Sequence, residues 1–307
     1  MVAKLFEGPD VPEWLGPPLS FLGLRSPEAD FSTARAVVIP APYDGTTTFR
    51  PGTREGPRAI LAASRELECY DEETDTEAWR QGIATLDEVA VTVASARDMI
   101  DRVRQAGDFV VAAGKLPILL GGEHLLSLGM IEALAARWKD LTILHLDAHA
   151  DLRAAYQGSP YSNACVMHHA RRHAALVQVG IRALDREERA LIDAASIPCF
   201  FAQDLWRKPQ LWERIVAALG PRVYISIDLD AFDPAIMPAV GTPEPGGLEW
   251  YPVLRLLRQV TRQRHVVGFD VMELLPQPHN VAADFLAARL VYKLLSYIFL
   301  DNPETAC

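Results

Sequence analysis

Cysteine is scarce and unpatterned. Cys69, Cys165, Cys199 and Cys307 are scattered and form no CxxC pair. They read as incidental thiols of a reducing compartment, with no disulfide framework or cysteine-based zinc module. No run of about 18 apolar residues occurs, so no membrane span is expected. Residues 1–16 hold no basic segment followed by an apolar one, so no signal peptide is expected and the cytoplasm is the expected location. Positive charge is in the minority: 30 Lys and Arg stand against 40 Asp and Glu, a net charge of −10. That balance argues against a nucleic-acid partner, which calls for a basic face. It suits a small cationic substrate. Internal repeats, low-complexity tracts and an interdomain linker are missing as well, which favours one domain.

What remains is a chain half of whose residues are hydrophobic, enough for a large core. Residues 1–33 carry Pro9, Pro12, Pro17 and Pro18 and read as an arm over the surface. Residues 34–307 read as a single catalytic domain. Short apolar runs at 36–40, 116–120, 175–180, 197–201, 223–230 and 265–271 are strands by length and β-branching. A further strand covers 141–146 and runs on extended to 151. Helices are expected at 56–67, 93–113, 125–138, from a loop at 153–167 to about 174, after the Asp185–Glu188 capping box to 195, and at 210–219, 250–263 and 281–299. In the second of these, Ile100, Val103, Phe109 and Val110 form the apolar stripe. Strand and helix alternate throughout, the pattern of an α/β fold with a parallel sheet between two helical layers. Nearly every polar cluster falls at a strand's C-terminal end, where such sheets bind ligands.

The densest cluster is Asp147-Ala148-His149-Ala150-Asp151. In extended chain, alternate side chains share a face, so Asp147, His149 and Asp151 would point one way while the alanines pack. Two carboxylates and an imidazole held together call for a cation. Asp228 and Asp230 repeat the spacing, and His124 follows Gly121-Gly122-Glu123. His124, Asp147, His149, Asp151, Asp228 and Asp230 are too many ligands for one ordinary zinc site. They suit two ions about 3.5–4 Å apart, bridged by carboxylates. The oxygen-rich set favours Mn²⁺, with Zn²⁺, Co²⁺ and Ni²⁺ left open. Such a pair of ions lowers the pKa of bound water, so hydrolysis is the expected chemistry. Asp151 is the expected proton carrier to the leaving group.

At these residues the chain resembles the ureohydrolase family, which includes arginase and agmatinase. The resemblance rests on Gly121-Gly122-Glu123-His124, Asp147 to Asp151, Ser226 to Pro234, Gly241 to Gly247 and Gly268 to Glu273. It covers residues 35–300 and implies a three-layer α/β/α fold, two Mn²⁺ ions on the six ligands, urea release and a homo-oligomer, trimer or hexamer. It places Glu273 on the substrate guanidinium, where a carboxylate accepts a bidentate pair. It places Thr242 near the metal cluster, although Thr242 also reads as a turn residue between Gly241 and Pro243.

Two departures bear on the substrate. Leu152-Arg153 stands where arginases usually carry an asparagine that helps to read the α-carboxylate, which moves the expectation to agmatine, cleaved to putrescine and urea. Glu244 is a candidate for the substrate's distal amine. The alternatives are guanidinobutyrate, guanidinopropionate or arginine, and an acid substrate would call on Arg50 or Arg153. The second departure is Asn163, where relatives commonly have a proton-shuttling histidine. Asparagine hydrogen-bonds but does not titrate near pH 7. The proton route is then open to His168 or His169, both of which also read as ordinary surface residues. A weakened, metal-binding regulatory homologue is the competing expectation.

Overall fold

The computed structural model describes residues 14–302. Residues 1–13 of the arm, and Cys307, lie outside the described residues. Eight parallel strands form one sheet: β1 Ala36–Ala41, β2 Ile83–Thr85, β3 Leu116–Gly121, β4 Leu141–Leu146, β5 Ala175–Ile181, β6 Cys199–Phe201, β7 Arg222–Asp228 and β8 His265–Met272. Their order is β2-β1-β3-β8-β7-β4-β5-β6. A parallel sheet is covered on both faces, and the strands are apolar on both. Val38, Ile118, Leu144 and Ile225 enter one core cluster, while Val37, Leu119, Ile143 and Tyr224 enter the other.

Helices α1 Gly56–Ser64, α6 Ala202–Arg207, α7 Leu211–Ala218, α8 Trp250–Gln263 and α9 Val281–Asp301 supply the first cluster. Helices α2 Ala96–Ala112, α3 Ser127–Arg137, α4 Val166–Ala170 and α5 Arg186–Ala194 supply the second. The three-layer α/β/α architecture is therefore as the sequence predicts. Helix α9 is buried for most of its length, as expected of a helix apolar on all sides. Its buried Lys293 is neutralised by Asp71 at 2.9 Å and Glu73 at 3.0 Å. No described helix is long and apolar enough to cross a membrane.

Several local expectations are corrected. Phe109 leaves the α2 stripe and is 56% exposed. It lies nine residues after Ile100, half a turn away at 100° per residue, and stacks on Phe31 with ring centroids 5.0 Å apart. Strand β4 stops at Leu146 instead of running on to Asp151. Helix α4 ends at Ala170, short of 174. Strand β2 and helix α6 are additions to the expected elements; three and six residues are too few to show a period. Within the described part of the N-terminal stretch, Phe21, Leu22 and Leu24 are buried in the first core cluster.

The strand order positions the polar clusters. β3, β8, β7 and β4 are neighbours at the centre of the sheet, and each ends in candidate site residues.

Candidate metal centre

Four strand ends build the centre. After β3, Gly122 passes so close to the preceding loop that a Cβ there would run into the Tyr43 carbonyl oxygen. This crowding brings Glu123 and His124 over the sheet edge, with His124 opening a short 3-10 turn. After β4 the chain leans on the exit of β5. The amides of Arg182 and Ala183 both donate to the Ala148 carbonyl, at 2.8 and 2.9 Å. Asp151 then adopts a left-handed backbone, φ 53°, and its carbonyl accepts the amides of Met167 and His168, both at 3.0 Å. The side chains of 147, 149 and 151 thus converge through a pinned loop, not through strand alternation. Ala148 and Ala150 are fully buried behind them. Asp228 ends β7, and Asp230 sits on the 3-10 turn that follows.

The six expected ligands come together in two groups that share Asp147. His124 Nδ1 lies 3.1 Å from Asp147 Oδ2, 3.4 Å from Asp151 Oδ2 and 3.3 Å from Asp228 Oδ2. His149 Nδ1 lies 2.9 Å from Asp230 Oδ2 and 3.4 Å from Asp147 Oδ1. The two oxygens of Asp147 therefore face different histidines. Backbone amides hold the carboxylates: Ala148 N donates to Asp230 at 3.0 Å and Asp230 N to Asp228 at 2.8 Å.

The donor set fits a cation. His124 Nε2 is 2.9 Å from Ser226 Oγ, which donates to Asp270 at 3.0 Å. That chain places the His124 proton on Nε2 and leaves the Nδ1 lone pair toward the carboxylates. His124 Nδ1 is buried and has no hydrogen-bond partner. Burial works against the charged form of Asp147, but His145, His124 and His149 outweigh it and hold the carboxyl well below its usual range. Burial, reinforced by Asp230 and Asp147, pushes Asp228 well above its usual value. Burial and then Asp147 push Asp151 up. Burial also opposes protonation of His124, yet Asp147, Asp151 and Asp228 outweigh it and raise the imidazole. Buried carboxyls pushed up by one another around an imidazole nitrogen that has no hydrogen-bond partner are what a positive ion relieves.

Glu273 also has a left-handed backbone, φ 65°, and is buried. Its carboxylate Oε1 accepts the His124 amide at 2.7 Å. Non-glycine residues held at positive φ are enriched at functional sites, and two of the six among the described residues, Asp151 and Glu273, are those expected to handle proton and substrate. Thr242 donates to Asp230 Oδ2 at 3.3 Å, so its hydroxyl does reach the cluster. Asn163 is linked to the cluster indirectly. Its amide donates to Thr46 Oγ1 at 3.2 Å, and the Thr46 hydroxyl and amide donate to Glu123 at 2.7 and 2.6 Å. The loop after β1 is therefore part of the site's frame. Arg153 pairs with Asp185 at 3.1 Å and approaches Glu188 at 3.7 Å, so its charge is already matched. The ring nitrogens of His168 meet the Leu152 carbonyl and Arg172, and His169 meets the Pro160 carbonyl and stacks on Tyr161. Both histidines are thus engaged in their own loop and helix. The carbonyls of Glu244, Asp230 and Phe232 converge on Arg182, which ties the 241–247 loop to the ligand turn.

Three participants escape the sequence reading. Glu123 is fully buried, and burial pushes its carboxyl up to about 7 despite the Thr46 bonds. Arg182 is the second. His145, fully buried, lies 2.8 Å from Asp147 Oδ2. The available signal for His145 is its place two residues before Asp147, on the same strand face.

The family model described as "Arginase family" matches residues 34–296. An N(1)-aminopropylagmatine ureohydrolase of Synechocystis sp. is 39% identical over 279 residues, 87% of this chain and 90% of its own length. One of the same name from Thermus thermophilus is 41% identical over 266 residues, 86% of this chain and 90% of its own. The crystal structure of an agmatine ureohydrolase of Thermoplasma volcanium superimposes with a TM-score of 0.81 at 33% identity, covering 89% of this chain and 93% of that one. With the cluster of His and Asp side chains at the C-terminal edge of the central strands, these matches show that the chain belongs to the arginase family, as a ureohydrolase, a metal-dependent hydrolase of guanidino compounds.

Proposed function

We propose that the protein is a binuclear Mn²⁺ ureohydrolase that cleaves the guanidino group of N(1)-aminopropylagmatine, releasing urea and the corresponding primary amine. The sequence alone points to plain agmatine; the names of the 39–41% identical relatives move the reading to the longer polyamine. The reaction adds water across one C–N bond of the guanidinium, so the leaving nitrogen must gain a proton. His124, Asp147, Asp151 and Asp228 would hold one ion, and Asp147, His149 and Asp230 the other. Bound there, the ions supply Lewis-acid activation of water.

The chain's own residues do the rest. Glu273 offers its second carboxylate oxygen to the guanidinium, since its first is engaged by the His124 amide. Asp151, on its pinned loop, carries the proton to the leaving amine. Thr242 and the 241–247 loop border the cluster on the substrate side. Asn163 holds the opposite loop through Thr46 and does not itself titrate. The observation that carries the reading is the sharing of Asp147 between two histidine-carboxylate groups, the arrangement a two-ion site requires. The test of the substrate is kcat/KM for N(1)-aminopropylagmatine and for agmatine on the Mn²⁺-loaded protein. A higher value for the longer substrate is expected; a higher value for agmatine overturns the choice.

A further inference from the structure

His145 lies outside the six proposed ligands, yet it stands within ligand reach. With His124, Asp147 and Asp151 it forms a group whose donor atoms lie within 4.8 Å of one another. What distinguishes it is its neighbour. The register partner of His145 on β5 is Gln178, and both side chains are fully buried. The Gln178 amide nitrogen donates to the Ala150 carbonyl at 2.7 Å. This bond settles which way the amide faces, because two carbonyl oxygens do not hydrogen-bond each other. The same nitrogen lies 3.1 Å from His145 Nδ1. With a donor in front of it, Nδ1 is the accepting nitrogen of the ring, and Nε2 is the one that carries a proton. A proton on Nδ1 would point at the Gln178 N–H group. Nε2 in turn stands 2.8 Å from Asp147 Oδ2.

We infer that Gln178 and His145 form a tautomer lock on the metal centre: Gln178 fixes His145 as the Nε2–H form, and His145 is a positioning residue for Asp147, not a ligand. One hydrogen atom has two effects. A protonated Nε2 has no lone pair to offer an ion, so His145 stays out of the ligand set despite its reach. The same N–H holds the Asp147 carboxylate at the orientation in which Oδ2 faces His124 and Oδ1 faces His149. Outer partners of this kind orient ligands in metal sites generally. The inference rests on the Mn²⁺ reading above only for its affinity readout.

Two measurements test it. The ¹⁵N shifts of the two His145 ring nitrogens in the metal-free wild-type protein report the tautomer directly. The Nε2–H form is expected, and a neutral Nδ1–H ring overturns the inference. The second is titration with Mn²⁺ alone of the wild type, Gln178→Leu, His145→Leu and His145→Gln. A glutamine at 145 reaches about as far as Nε2 and keeps an N–H toward Asp147. The Mn²⁺ dissociation constant is expected to rise about 10- to 100-fold in Gln178→Leu and His145→Leu, and to return most of the way in His145→Gln with unchanged stoichiometry. Wild-type affinity in His145→Leu overturns the positioning role. Loss of one ion per chain in His145→Gln makes His145 a ligand and also overturns it. Where Gln178→Leu does not fold, the wild-type spectrum and His145→Gln decide. A wild type that binds no Mn²⁺ strikes the metal assignment, and the tautomer spectrum still decides this inference.

Discussion

The Glu273 carboxylate accepts the backbone amide of His124 at 2.7 Å. The residue proposed to meet the substrate is thereby tied to the first residue of the proposed metal cluster. Glu273 N also donates to the Gly122 carbonyl at 2.9 Å, so β8 and β3 are stitched at the point where both leave the sheet. Burial, with Glu123 adding to it, pushes the Glu273 carboxyl up to about 8. A guanidinium beside it would reverse that shift, which suits the side chain to the charge-selective contact proposed for it.

Glu273→Gln keeps the shape and the His124 bond but removes the charge. A hydrogen bond to a charged group contributes about 1.5–3 kcal/mol, so KM for the guanidino substrate should rise about 10- to 100-fold in steady-state kinetics. An unchanged KM would take Glu273 out of substrate binding.

Asp151→Asn retains size and loses the titratable group. General acid–base catalysis contributes about 10²- to 10⁴-fold, and urea production should fall by at least that range while the far-UV circular dichroism is unchanged. Undiminished turnover would remove Asp151 from the proton route.

Metal removal should destabilise the fold. An ion that binds only the native state adds about 2.7 kcal/mol at 100 times its dissociation constant. The melting temperature should therefore drop in chelator and recover on adding Mn²⁺. A melting temperature indifferent to both would contradict a structural contribution from the site.

The metal-free protein should also lose stability as pH rises from about 5 to about 8.5. Glu123 moves from an ordinary 4.5 to about 7 and Glu273 from 4.5 to about 8 on folding. Groups raised in this way stabilise the fold fully below their unfolded values and lose that contribution as pH passes the folded ones. His124 and His149 are raised too and act in the same direction. The Glu123→Gln variant should show a shallower fall in melting temperature over the window. A wild-type melting temperature that climbs with pH would contradict the burial of these carboxyls.

Much of the centre is legible in the sequence because its ligands occupy short motifs at strand ends, and strand ends follow from apolar runs. The geometry that joins them is not. Asp151 reaches the cluster through a positive φ that the Asp147–Asp151 pattern does not encode, and the loop is held by amides of α4 and of Arg182 and Ala183 just after β5. Gln178 and His145 become partners only through the β4–β5 register, which no local period reveals. The placing of β8 and β7 between β3 and β4 depends on crossovers, yet it is what brings Asp228, Asp230 and Glu273 to His124. The loops 43–52 and 241–247 are the least legible, since their partners Glu123 and Asp230 lie elsewhere in the sequence.

Urea release from a panel of guanidino compounds by the Mn²⁺-loaded protein tests the central claim most directly. The account predicts urea from N(1)-aminopropylagmatine, dependent on Mn²⁺ and lost in Asp151→Asn. No urea from any member of the panel, with the metal bound, would contradict it.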